Sequence, residues 1–182
     1  VAATGRCLRD RRLRELTVEE VMAEAGLART VFYRHFRSLH DVVLGLLGDL
    51  VQRVLADAER GDPRDPAMLA RELRMVVDMF AEHGPLLLAF EAAAHVDEDV
   101  ERAYVQVAEQ AAQATASLLE RGMALGHTPP LDAPQVARAL NSMNVAYLLG
   151  LVASGRELDR EAAFQTLWTV WSRTTWPEQQ TL

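Results

Sequence analysis

Residues 17–38 read TVEEVMAEAGLARTVFYRHFRS, and the fold turns on this stretch. Thr17, Val18, Glu19 and Glu20 spell a capping box, in which the threonine hydroxyl accepts from the Glu20 amide and the glutamate reaches back to the Thr17 amide. A helix therefore starts at Val18. Leu16 and Val21 flank that cap at the spacing of a hydrophobic staple, which fixes how the chain enters the helix. Gly26, free to take a positive φ, stops it after about eight residues, and Leu27 and Ala28 lead into a second helix. Two short helices joined by such a turn have helix-turn-helix spacing. Val21, Ala25, Leu27, Val31, Phe32 and Phe36 are placed to fill the space between them and the preceding helix. Arg29, Thr30, Tyr33, Arg34 and His35 are left facing outward.

Those outward side chains suit a nucleic-acid duplex: arginine grips guanine edges or phosphates, and threonine, tyrosine and histidine donate to phosphate oxygens. The second helix is expected to enter the major groove. The competing reading is a surface helix with two ordinary arginines. Charge favours the duplex, since residues 1–37 hold eight arginines against five acids whereas 38–182 hold eleven against twenty-one. The net charge of −7 thus hides a basic end, the candidate phosphate-facing end.

Working outward, the 182 residues are 49 % hydrophobic and 25 % charged, the balance of a folded globular chain. Apolar residues recur at three and four, without alternating β-branched runs, so the fold class is all-α. Gly26, Pro63, Pro66, Pro85, Pro130, Pro134 and Gly155 punctuate the chain. About nine helices are expected, over 1–13, 18–25, 29–35, 39–60, 66–82, 85–94, 98–125, 133–154 and 160–175. The short ones crowd the N-terminus. This predicts a three-helix head over 1–47 and a larger helical body over 48–182, with the fourth helix tying them together. The longest apolar runs fall well short of the roughly 20 residues of a membrane span, and no secretion signal is legible, so a cytoplasmic location is expected. The single Cys7 reads as a small buried hydrophobe and cannot build a multi-cysteine metal site.

From Gly26 to Ser38 the order is glycine, aliphatic, small, three variable residues, aromatic-tyrosine, then phenylalanine, followed by Arg37 and Ser38. This resembles the recognition-helix signature of TetR-family transcriptional regulators. The resemblance implies a homodimeric repressor, with a helix-turn-helix DNA-binding domain over 1–47 and a ligand-binding and dimerisation domain over 48–182. It places Thr17, Tyr33 and His35 against the DNA backbone and Arg29, Thr30 and Arg34 nearest the bases. Three positions depart from the family pattern: Met22 stands where a close-packing alanine is usual, Ala28 where a hydroxyl caps the recognition helix, and Leu39 where a lysine opens the fourth helix. Ser38 and Asp41 still form a cap there, and His40 is a candidate replacement for the lysine.

Further along, residues 139–144 (ALNSMN) and 168–171 (WTVW) are similar to the ethionamide-repressor-like branch of that family. The similarity implies an apolar tunnel between the middle helices, with Asn141 and Asn144 offering polar contacts to a small hydrophobic effector and Trp171 near the tunnel end. Spacing agrees to the extent that the two asparagines share a helix face in an apolar stretch, where a buried amide needs a partner. A ligand, the backbone, water or a second subunit would each serve. Leu69, Leu73, Val76 and Phe80 form one stripe that Leu87, Phe90, Tyr104 and Val107 can face. Such stripes are usually core, but Ala103, Ala108, Ala111, Ala112, Ala114 and Ala116 leave volume that either bulky neighbours or a ligand must fill. Val145, Leu148, Leu149, Val152, Leu167 and Val170 are expected to pair with a second subunit, the alternative being burial within one chain.

Two other functions compete with a DNA-binding regulator. His83, Glu91, His95, Asp97, Glu98, Asp99 and Glu101 invite a metal or acid-base reading, and His95 lies four residues from Asp99, yet no second histidine joins them at ligand spacing. The acids around Asp97 fit a helix N-terminus. Without a phosphate loop or nucleophile elbow, neither a cofactor nor enzymatic activity is expected. The second competitor is a helical ligand-binding or interaction protein that has lost specific DNA binding, a reading favoured by Ala28, Leu39 and the acidic body.

Overall fold

A computed structural model describes residues 2–7, 15–42, 44, 45, 48, 52, 61–95 and 98–176. Seven helices lie among them: α1 (Ala2–Cys7), α2 (Val18–Glu24), α3 (Arg29–Phe32), α4 (Pro66–Ala94), α5 (Glu98–Ala124), α6 (Ala133–Ala153) and α7 (Arg160–Thr175). No strand occurs among the described residues. Residues 39–42 are helical, while most of the expected fourth helix, the end of the first, the boundary near Leu47, and Asp97 lie outside the described residues.

Three of the four long helices share one way of starting. Asp65, Asp132 and Asp159 each sit in extended backbone just before the helix and accept from the amides of Ala67, Gln135 and Ala162. Each satisfies one of the orphan donors of a helix start. The first turn of α5 carries Glu98, Asp99 and Glu101, acids favoured by the positive end of the helix dipole.

The expected break between 82 and 85 does not occur, because α4 runs unbroken through Pro85. Gly84 explains why the helix is held there. A Cβ on it would stand 2.6 Å from Val152 Cγ2, so α6 approaches the α4 backbone closely at this point. That packing outweighs the hydrogen bond Pro85 cannot donate, and the two helices expected at 66–82 and 85–94 are one.

One apolar cluster joins head and body. It includes Leu16, Val21, Phe32 and Val42 from the N-terminal part together with Leu73, Phe90, Leu148, Leu167 and Trp171. The short α1 packs on both α2 and α4, and Arg6 of α1 is bonded to Glu24 of α2 at 2.6 Å. Leu39, unexpected at the position of a phosphate-binding lysine, is buried in this cluster. Cys7 is half-buried and packs against its edge, and Met22 is buried. A satellite cluster of Ala116, Leu119, Ala133 and Ala137 lies between α5 and α6, where small side chains allow close approach.

Candidate functional site

The head is built as its capping residues dictate. Thr17 N donates to Glu20 Oε2 at 2.8 Å, Glu20 N donates to Thr17 Oγ1 at 3.3 Å, and Gly26 takes φ +67°. That φ turns Leu27 outward, where it is 53 % exposed instead of filling the space between the helices; Ala25 is exposed as well. Phe32 is the buried anchor of α3, ringed by Tyr33 edge-on at 5.4 Å and by Phe36 at 5.5 Å. Ala28 provides no side-chain cap, and α3 is a single short turn continued by tighter turns through His35.

Arg29, Thr30, Tyr33, Arg34 and His35 are all exposed, as is Thr17, and His40 is half-buried. Arg29 does not stand alone. Its Nη2 donates to the Tyr33 hydroxyl at 3.2 Å, its guanidinium lies 5.2 Å from the Tyr33 ring centre, and it pairs with Glu19 of α2. The bond to Tyr33 and then the charge of Glu19 push the Arg29 pKa above its ordinary value. At the end of the head, Asp41 N donates to Ser38 Oγ at 3.2 Å, and Asp41 Oδ2 accepts from Arg37 N at 2.7 Å.

In the body, a cavity of about 410 Å³ opens between α4, α5 and α6. Val76, Phe80, Leu87 and Phe90 of α4 face Tyr104, Val107 and three small side chains, Ala108, Ala111 and Ala112, of α5. A smaller chamber of about 60 Å³ is lined by Leu69, Leu73 and Trp171 and shares Val76, Asn141 and Asn144 with the larger one. All eleven residues expected to contact a ligand therefore line one or both chambers.

Each asparagine amide has one partner that fixes its orientation, the donor-only Trp171 Nε1 for Asn144 and the acceptor-only Ala137 carbonyl for Asn141. Trp171 Nε1, which can only donate, gives a hydrogen bond to Asn144 Oδ1 at 2.9 Å. Asn141 Nδ2 donates to the Ala137 carbonyl at 2.9 Å and to Thr115 Oγ1 at 3.0 Å. The amide ends left over are Nδ2 of Asn144, a donor, and Oδ1 of Asn141, an acceptor.

Sequence comparison assigns both halves of the chain. Residues 1–44 match the family model described as bacterial regulatory proteins, tetR family, and residues 69–176 match that of the transcriptional regulator EthR, C-terminal domain. This chain belongs to the TetR family, in its EthR-like branch. It is similar to the HTH-type transcriptional regulator EthR of Mycolicibacterium smegmatis, 26 % identical over 180 residues, covering 94 % of this chain and 82 % of that protein. Among solved structures, the fatty acid degradation regulator FadR of Bacillus halodurans superposes with a TM-score of 0.73 at 14 % identity, covering 92 % of this chain and 93 % of the other. Thermus thermophilus FadR, solved with lauroyl-CoA, gives 0.60 at 21 % identity, covering 92 % and 89 %. At those identities the structures support the fold alone. The regulator is a DNA-binding transcription factor by family, and its homologues are named for regulation rather than catalysis.

Several expected dimer contacts belong elsewhere in the regulator. Leu148 and Leu167, 0 % and 1 % exposed, are spent in the core of the single chain. Val145 and Leu149 line the cavity, and Val152 packs on Gly84. Apolar periodicity marks a buried face without saying which partner buries it, and for Leu148, Leu149 and Leu167 the partner is the same chain. Val170 alone of the six remains an exposed apolar side chain.

Sequence reading missed Glu19, the partner of Arg29, and Thr115, the buried hydroxyl that orients Asn141. It also missed the charged residues of the cavity lining, Arg138, which reaches Glu109 at 3.4 Å, and Glu91. The only signal available for Thr115 was a hydroxyl interrupting an alanine run. Among the described residues no group of three or more histidine, cysteine or acidic side chains is placed to hold a metal ion.

Proposed function

We propose that this regulator is a homodimeric cytoplasmic repressor that leaves a pseudo-palindromic operator when a small, mostly apolar ligand fills the body cavity. Residues 1–47 serve as the DNA-binding domain and 48–182 as the ligand-binding and dimerisation domain. Arg29, Thr30 and Arg34 read base edges, while Thr17, Tyr33, His35 and His40 hold phosphates. The observation that carries the reading is the separation of tasks in one chain: a basic, exposed α3 at one end, and at the other a large apolar cavity with two oriented amides.

The ligand would lie along Phe80, Leu87, Phe90 and Val107 and take its polar contacts from Asn144 Nδ2 and Asn141 Oδ1. A ligand carrying both an acceptor and a donor, such as an amide or hydroxyl on an apolar frame, matches that pair.

Dimerisation is supported by α6. This helix has the length and composition of a membrane span, with an 18-residue window of mean hydropathy 1.3, yet only 22 % of that window is buried in one chain. Its uncovered side carries Ala139, Gly150 and Ala153, small residues that admit a second helix at short range, and Val170 of α7 extends the apolar surface. Two heads about 34–36 Å apart reach successive major-groove faces, and ligand that favours another spacing loosens the complex. The coupling required is typically about 1–3 kcal/mol.

The test is fluorescence anisotropy with the DNA upstream of the protein's own gene, titrated with and without apolar compounds that stabilise the protein against heat. Operator affinity falling as such a compound binds supports the reading. Stabilising compounds that never change DNA affinity contradict it.

A further inference from the structure

The cavity lining is mostly apolar, but three charged side chains belong to it, Glu91, Glu109 and Arg138. Arg138 and Glu109 neutralise each other, with Nε and Nη2 at 3.4 and 3.5 Å from the two carboxylate oxygens. Glu91 has no ion-pair partner among the described residues. It is half-buried, and it follows Phe90 directly in the chain, whose ring lies 6.1 Å from that of Tyr104, another lining residue. Burial pushes the Tyr104 phenol pKa up, and the nearby Glu91 charge adds to the effect, so the hydroxyl stays neutral.

A half-buried carboxylate without a counter-charge gains from any cation brought to it, and gains more as water is excluded. Aromatic faces beside it attract the same kind of group. An anionic head would instead meet Glu91 and compete with Glu109 for the single arginine.

We propose that the cavity takes a lipophilic amine, its ammonium seated at the Glu91 carboxylate beside the Tyr104 ring and its apolar chain running to the asparagine pair. This rests on the cavity being the effector site, and it names the chemical class of the effector. The asparagine amides then meet the far end of the chain, so an amine with a polar group at its other end satisfies both places.

Three probes of one shape decide it: decylammonium, decanol and decanoate, each titrated below its micellar concentration into the full-length protein by calorimetry at neutral pH. Decylammonium is expected to bind at least about tenfold more tightly than decanol, with decanoate the weakest. In Glu91→Gln, whose side chain keeps its size, that preference should disappear while decanol binds as before. Equal affinity for amine and alcohol in the wild type, or an undiminished preference in Glu91→Gln, overturns the amine assignment and leaves the effector cavity standing. Failure of all three probes to bind contradicts the effector cavity itself. The comparison within the wild type stands on its own if Glu91→Gln folds poorly.

Discussion

Trp171 Nε1 donates to Asn144 Oδ1 across 2.9 Å, with both side chains buried, and this bond ties the last helix to the one that carries the cavity's polar wall. The oxygen of Asn144 thus holds α7, and on the proposed function its nitrogen serves a ligand. Asn144→Leu should strand a buried indole donor and cost about 1–3 kcal/mol of stability, while Asn141→Leu, which frees only a hydroxyl and a carbonyl at a half-buried position, should cost less. Combining Asn144→Leu with Trp171→Phe should recover part of the loss. Thermal or urea unfolding of the three variants and the pair checks this; strictly additive losses would show that the bond contributes nothing.

Gly84 reverses an ordinary rule. Glycine-to-alanine in a helix interior normally stabilises by up to about 1 kcal/mol. With Val152 Cγ2 standing 2.6 Å from the added carbon, Gly84→Ala should destabilise by about 1–3 kcal/mol. Val152→Ala in the same chain should relieve it. Denaturant midpoints of the single and double variants give the sign directly.

Glu19 pairs with Arg29, so on the proposed DNA contact it competes with the duplex for that guanidinium. Glu19→Gln should free Arg29 and remove a negative charge from the face proposed to meet phosphates. Operator affinity should then rise by about two- to fivefold at low salt, the scale of one exposed ion pair, and the gain should shrink as salt screens it. Fluorescence anisotropy over a salt series measures it, and weaker binding by Glu19→Gln would assign Glu19 to the protein–DNA contact instead.

Gly150 is open around its Cβ position, with nothing within 4 Å, so a long side chain fits there in one subunit. On the uncovered face of α6 it should not fit in two. Gly150→Glu combined with Val170→Glu should leave helicity unchanged and convert the dimer to monomer at micromolar concentration in sedimentation analysis. A variant that stays dimeric moves the interface elsewhere.

The parts of this fold legible in the sequence are those decided within a few residues. The Thr17 and Glu20 box and the positive φ of Gly26 depend on local hydrogen bonds and backbone freedom that their own residues specify. Pro85 was misleading for the opposite reason: a local helix breaker is overruled by α6 packing on Gly84, a contact between residues 68 positions apart in the chain. Leu27 looked like core by its apolar character, and the turn at Gly26 rotates it out. Periodicity put the apolar stripes on facing sides of the helices without deciding between core and cavity, because a face that fits one fits the other, and the asparagine pair came from resemblance. The charged lining was not legible, since Glu91, Glu109 and Arg138 are ordinary surface residues until the helices meet. The alanines of α5 were ambiguous and divide by height: Ala108, Ala111 and Ala112 line the cavity, while Ala116 packs against α6.

The account stands most directly on whether the arginine face of α3 reads DNA. Binding of labelled upstream DNA should be measured for the wild type and for Arg29→Ala with Arg34→Ala, across a range of salt concentrations. The wild type should bind specifically, with affinity falling steeply as salt rises, and the double variant should lose specific binding while remaining a folded dimer. Equal operator affinity in the two proteins would contradict the assignment of this face to DNA.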